Sequence, residues 1–142
     1  MTTYFAYGAN MDPVPMAQRC PGARRVGLAV LPDHEFQIAA AGYGNATAAA
    51  GRTVHGVLWD LPLQDELALD DFEGVPEGLY RKAIASVRTS DGRRVSAMVY
   101  LPADPSPGLP RAGYLEGIIP VAESLGFPPD YVAGLRRLLA GG

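Results

Sequence analysis

Cysteine is nearly absent from this chain. Cys20 is the only one among 142 residues, so no internal disulfide can form, and a reducing, cytoplasmic setting is the expectation. Histidine is scarce too: His34 and His55 lie far apart, and with one thiol they make no cluster at the spacing a zinc site needs. No metal site is therefore expected. There is no Gly-x-Ser-x-Gly nucleophile motif and no Gly-Lys-Ser/Thr phosphate loop, and Gly42-Tyr43-Gly44 lacks the third glycine of a dinucleotide fingerprint. Basic residues are outnumbered, 12 against 15 acids, and occur as scattered pairs such as Arg24-Arg25, Arg93-Arg94 and Arg136-Arg137. With no basic stripe interleaved with aromatics, a nucleic-acid partner is not expected. No apolar run reaches bilayer length and no basic leader precedes the first apolar run, so no membrane partner or secretion signal is expected either.

What is present describes a folded enzyme-sized unit. Hydrophobic residues make up 48% and charged residues 19%, which places residues 1–142 in one globular domain around one core. Tyr4 to Tyr7 reads as a short first strand stopped by Gly8. Asp12-Pro13 reads as an N-cap with proline at the first helical position, and Cys20-Pro21-Gly22 ends that helix. Val26–Leu31 and Glu35–Ala40 suggest two strands broken at Pro32-Asp33, Ala41–Arg52 an irregular loop, and Thr53–Asp60 another strand. A helix of about three turns opens at Leu61-Pro62 and closes before Gly74, with Leu63, Leu67 and Phe72 as its apolar side. Tyr80–Arg88 and Val95–Leu101 flank Ser90-Asp91-Gly92 as a hairpin. Two helices follow, Tyr114–Leu125 and Asp130–Leu139, the second with Tyr131, Leu135, Leu138 and Leu139 on one side. Strands cluster as hairpins rather than alternating with helices, which predicts an α+β domain: a curved mixed or antiparallel sheet with helices at its rim.

Two segments carry candidate chemistry. In Tyr4-Phe5-Ala6-Tyr7-Gly8-Ala9-Asn10-Met11 a strand ends in glycine and small residues, a context in which backbone N–H groups can turn outward into an anion site. Gly8 permits close approach of a ligand, and Asn10 is expected to fix the loop through its own side chain. In Leu69-Asp70-Asp71-Phe72-Glu73-Gly74-Val75 three acids stand at the end of the predicted helix, where the helix dipole opposes negative charge. Neighbouring carboxylates and burial would each raise a carboxyl pKa toward neutrality, as general acid–base work requires. Ordinary alternatives are a plain turn for the first segment and a solvated acidic turn for the second. Cys20, at a helix C-terminus that disfavours a thiolate, is read as a semi-buried structural residue.

Together these segments resemble the γ-glutamyl cyclotransferases and their bacterial, AIG2-like relatives. The first matches a family pattern containing Tyr-Gly-Ser-Asn. The second matches through Leu69-Asp70, Glu73-Gly74-Val75 and Gly78-Leu79-Tyr80, and Gly56-Val57-Leu58-Trp59, Val99-Tyr100 and the run from Tyr114 to Leu135 extend the likeness along nearly the whole chain. The resemblance implies a small β-barrel with a few peripheral helices and a ligand pocket at one end. It implies Glu73 as the proton-transfer residue, Tyr7, Gly8, Ala9 and Asn10 as the substrate loop, and Tyr80, Tyr100 and Tyr114 as pocket tyrosines. Ala9 stands where relatives carry serine, so a hydroxyl contact to substrate is lost while backbone contacts survive. The implied reaction is intramolecular aminolysis of a γ-glutamyl conjugate, an acyl-transfer chemistry that releases 5-oxoproline and an amine without a cofactor. The loop would hold either the oxyanion or the substrate α-carboxylate. Relatives specific for glutathione or γ-glutamylamines, and a non-catalytic ligand-binding or regulatory protein of the same fold, remain alternatives. A monomer or homodimer acting on a small molecule is expected.

Overall fold

A computed structural model describes residues 1–141. Five strands close into a barrel in the order β1-β3-β2-β4-β5. They are β1 (Thr2–Ala6), β2 (Arg24–Ile38), β3 (Gly44–Leu61), β4 (Tyr80–Thr89) and β5 (Arg94–Pro102). Neighbours pair antiparallel except at the closure, where β1 runs parallel to β5 with Tyr4 opposite Met98. The helices α1 (Pro13–Arg19), α2 (Leu63–Phe72), α3 (Tyr114–Ser124) and α4 (Pro129–Leu139) lie outside it, and a 3₁₀ turn (Ala9–Met11) links β1 to α1. The α+β barrel with peripheral helices expected from the sequence is the fold observed. Among the described residues no helix is long and apolar enough to cross a membrane.

The barrel interior is filled by inward residues of every strand, including Phe5, Leu31, Val54, Leu58, Val87 and Val99. Asp12 caps α1 by accepting from the Val14 N–H at 3.0 Å, and the β4–β5 hairpin turns at Asp91-Gly92 with Gly92 N–H donating to the Thr89 carbonyl. Cys20 is fully buried and burial pushes its thiol up to about 11, consistent with packing rather than reactivity.

Four expectations are corrected. The two strands Val26–Leu31 and Glu35–Ala40 are one continuous β2, because Pro32-Asp33 forms a bulge instead of a turn. Asp33 takes a left-handed conformation (φ 59°), which short polar side chains tolerate, and its carboxylate accepts from Gly51 N–H at 3.0 Å. Most of the supposed loop Ala41–Arg52 belongs to β3: Gly44 to Ala48 pair with Ile38 to His34, so β2 satisfies their backbone whatever their propensity. The apolar side assigned to α2 faces outward, with Leu63, Leu67 and Phe72 at 70%, 56% and 53% exposure, while Leu69 is fully buried. Polar contacts hold this helix to the barrel: Lys82 of β4 bridges Glu66 and Asp70, and Tyr100 of β5 donates to Asp70 at 2.6 Å. On α4, Val132 and Leu135 are the buried pair and Leu139 is exposed.

Candidate active site

The 3₁₀ turn after β1, the end of α2 and the β2–β3 connection converge on one end of the barrel. They enclose a cavity of about 380 Å³, within the range of small-molecule sites. The eight residues that the resemblance assigns to the site all line it: Tyr7, Gly8, Ala9, Asn10, Glu73, Tyr80, Tyr100 and Tyr114.

Glu73 reaches the cavity because of how α2 ends. It is the C-cap, followed by Gly74 at φ 71° and then Val75. Gly74 N–H donates to the Asp71 carbonyl and Val75 N–H to the Asp70 carbonyl, the paired bonds of a Schellman termination. That turn carries Val75 back onto the core and leaves the Glu73 side chain on the cavity wall. Burial pushes its pKa up to about 7, against the pull of the Arg19 guanidinium and of a hydrogen bond from Asn10. The expectation that neighbouring acids would raise it is corrected: Asp70 is held by Tyr100 and Lys82, and Asp71 is exposed. Desolvation, the other cause expected from the sequence, is the one that acts.

Asn10 fixes the loop through its side chain, by bonds that tie it to three other elements. Its Nδ2 donates to the Tyr4 hydroxyl at 3.0 Å and to Glu73 Oε1 at 3.1 Å, and its Oδ1 accepts from Arg19. Its carbonyl accepts from Trp59 Nε1 at 3.1 Å, and the residue is 3% exposed. Gly8 is required by proximity rather than conformation. A Cβ there would lie 2.7 Å from the Tyr114 hydroxyl, and one at Gly44 would lie 2.8 Å from the same oxygen. Tyr114 fills the space between these glycines and accepts from Gly44 N–H at 2.9 Å.

The other tyrosines form a phenolic wall. Tyr7 donates to the Tyr100 carbonyl at 2.6 Å and Tyr80 to the Gly44 carbonyl at 3.2 Å. Burial raises Tyr4, Tyr7, Tyr80, Tyr100 and Tyr114 above the ordinary phenol value, so all are neutral at physiological pH. Sequence reasoning missed Arg19, Tyr43, Phe72 and Leu79 as cavity residues, and Tyr4 as a partner of Asn10. Tyr43-Gly44 had a visible signal in the Gly-Tyr-Gly run, but with the wrong chemistry attached. Arg19 had none, since its place depends on where α1 packs. Neither histidine lines the cavity: His55 packs on Phe127 and Tyr131, and His34 contacts the Pro32 carbonyl. Among the described residues no group of three His, Cys, Asp or Glu side chains is placed to hold a metal ion.

The model of the AIG2-like family matches residues 53–135, more than half of the chain, a span that includes Glu73, Tyr80, Tyr100 and Tyr114. The chain belongs to the AIG2-like family. Among relatives, this AIG2-like chain is 26% identical over 150 residues to the γ-glutamylcyclotransferase of Homo sapiens, covering 95% of this chain and 77% of that protein. It is 26% identical over 145 residues to the γ-glutamylcyclotransferase of Mus musculus, with the same coverage. A solved γ-glutamyl cyclotransferase superposes with a TM-score of 0.86 at 26% identity, covering 95% of this chain and 86% of that one. The AIG2-like barrel described above is thus a γ-glutamyl cyclotransferase fold.

Proposed function

We propose that the chain is a γ-glutamyl cyclotransferase that converts a γ-glutamyl conjugate into 5-oxoproline and a free amine. The observation that carries this reading is the Glu73 carboxyl on the wall of a small-molecule cavity, bonded to Asn10 of the Gly8–Asn10 turn, where burial pushes its pKa up to about 7. Names of relatives and the shared fold support it.

In this reading the substrate's α-amine attacks its own γ-carbonyl. The new C–N bond closes a five-membered lactam and the original amide C–N bond breaks. Folding the substrate against the phenolic wall raises the effective concentration of the amine, an effect that reaches about 10⁵–10⁸ M in well-oriented cases. Ionised Glu73 takes the proton the amine must lose and returns it to the departing nitrogen, so the residue ends as it began. A pKa near neutrality suits both halves of that exchange. The tetrahedral intermediate places negative charge on the former carbonyl oxygen. The opening N–H groups of the 3₁₀ turn, those of Ala9 and Asn10, have no acceptor within the turn and are available to an oxyanion or to the α-carboxylate.

The assay is 5-oxoproline release from γ-glutamyl-alanine, glutathione and a γ-glutamylamine. Turnover of at least one is expected. Measurable binding of 5-oxoproline or glutamate with no turnover of any would replace this reading with a ligand-binding role.

Tyr114 sits too close to Gly8 for a side chain to be added freely. In Gly8→Ala the new methyl displaces the Tyr114 hydroxyl and its bond from Gly44 N–H. A lost or displaced contact of about 1.4 kcal/mol corresponds to about tenfold, so kcat/KM falls by about that factor or more. Parallel measurement of Tyr114→Phe checks the cause. A methyl at Gly8 that left kcat/KM unchanged would show that Tyr114 does not shape the productive pose.

A further inference from the structure

We propose that Arg19 is a positioning residue that sets which way round the Asn10 amide sits, and thereby confines proton exchange by Glu73 to its Oε2 oxygen. This rests on the role given to Glu73 above and extends it to a residue that acts on Glu73 through Asn10.

Arg19 is the last residue of α1. Its guanidinium lies over the Phe72 ring, 3.7 Å from the centroid, and donates through Nη1 to Asn10 Oδ1. A guanidinium has donors only, so it can be satisfied by the amide oxygen and not by the amide nitrogen. With Oδ1 claimed, the NH₂ group must point the other way, and it does, toward the Tyr4 hydroxyl and Glu73 Oε1. The reversed amide would set donor against donor at Arg19 and oxygen against oxygen at Glu73. Since Asn10 is buried and its carbonyl is tied to Trp59, the amide has no other place to turn.

The consequence falls on the carboxyl. Oε1 accepts from Asn10, which favours placing a proton of Glu73 on Oε2, the oxygen that is not already an acceptor. That atom has no protein partner among the described residues, and it is not among their buried unpaired polar atoms. It is therefore the open face of a residue that lines the cavity. One oxygen is held as an acceptor and the other is left for substrate, which gives the proton transfer a single direction.

The surrounding charges leave Arg19 as the one partner able to do this. Around Glu73 are Arg19 from α1, Asn10 from the 3₁₀ turn, Tyr4 from β1, Tyr7 just after it, Tyr80 from β4, Tyr100 from β5 and Tyr114 from α3. These phenols are neutral, as shown above, and on α2 itself Asp70 is neutralised by Lys82 while Asp71 faces solvent. Arg19 is the only cation lining the cavity among the described residues.

The experiment is an NMR titration of the intact protein. Glu73 is followed by its ¹³C carboxyl signal, assigned with Glu73→Gln, and Asn10 by its side-chain NH₂ signals. In wild type the Asn10 NH₂ signals should follow the Glu73 midpoint near 7, because that group donates to the titrating carboxyl. In Arg19→Met that coupling should be lost and the Glu73 midpoint should rise. In the same variant kcat for γ-glutamyl-alanine should fall by about tenfold or more with KM changed by less than about threefold, and Arg19→Lys should recover part of the loss. Asn10 signals that ignore the Glu73 titration in wild type would overturn the proposal, and that measurement needs no variant that might misfold. A loss confined to KM would overturn it too, since Arg19 would then be binding substrate directly. If wild type releases no 5-oxoproline from any γ-glutamyl substrate, the proposed function falls, while the coupled titration still decides whether Arg19 orients the amide.

Discussion

Replacing Glu73 by glutamine should lower kcat for 5-oxoproline release by about 10²–10⁴-fold, the usual worth of a positioned acid–base group. Glutamine keeps the length and shape of the side chain and can still accept from Asn10 through its carbonyl oxygen. What it cannot do is take the proton that the attacking amine must lose or return it to the leaving nitrogen. The loss should therefore appear in kcat, with KM little changed. In wild type the ionised carboxylate must be present before the amine can be deprotonated. The kcat/KM profile should accordingly rise with pH through a midpoint of about 7 and lose that limb in Glu73→Gln. A variant that released 5-oxoproline at the wild-type rate would remove Glu73 from the chemistry.

The same substitution should make the protein more stable at high pH. Burial holds the Glu73 carboxyl at about 7 in the folded chain, against an ordinary value of 4.5. Between those values the folded chain keeps a proton that the unfolded chain has lost. Stability therefore falls as pH rises through this window, and the loss is complete above about 7. Its size follows from about 1.4 kcal/mol for each pKa unit, which gives roughly 3 kcal/mol. Glu73→Gln has no charge to desolvate and escapes this loss. Urea or thermal unfolding should find the variant more stable than wild type by up to about 3 kcal/mol near pH 8, and the two nearly equal near pH 4, where both carry a neutral side chain. Curves that ran parallel across that range would mean that the carboxyl is better solvated than its position indicates. Function and stability then pull in opposite directions at one residue, as they do wherever a site keeps an ionisable group out of water.

Much of the architecture was visible in local pattern. The β4–β5 hairpin announced itself through Asp91-Gly92, α1 through Asp12-Pro13, and the end of α2 through Glu73-Gly74. Each is a short-range device whose geometry is decided by two or three adjacent residues. Failures came where a partner strand overrode weak local preference. Gly44 to Ala48 carry little strand propensity and are strand only because β2 pairs with them. Pro32-Asp33 resembles a turn and is a bulge because β3 continues alongside. On α2, the leucines that looked inward face solvent, since Leu69 and the bridge from Lys82 set the helix rotation.

The candidate site divides along the same line. Which residue types could serve was written in the chain: a glycine corner after a tyrosine strand, and a glutamate placed just before a helix-terminating glycine. Those features act over a few bonds, so neighbouring residues suffice to specify them. Whether the carboxyl would hold a proton near neutral pH depended on the barrel wall that shields it from water, and that wall is assembled from β1, β4, β5 and α3. Arg19 reaches Asn10 across the packing of α1 against the turn, and Asn10 reaches Glu73 across 63 positions of sequence. Dielectric environment and amide orientation are properties of what surrounds a group in space, and only the closed barrel brings those surroundings together.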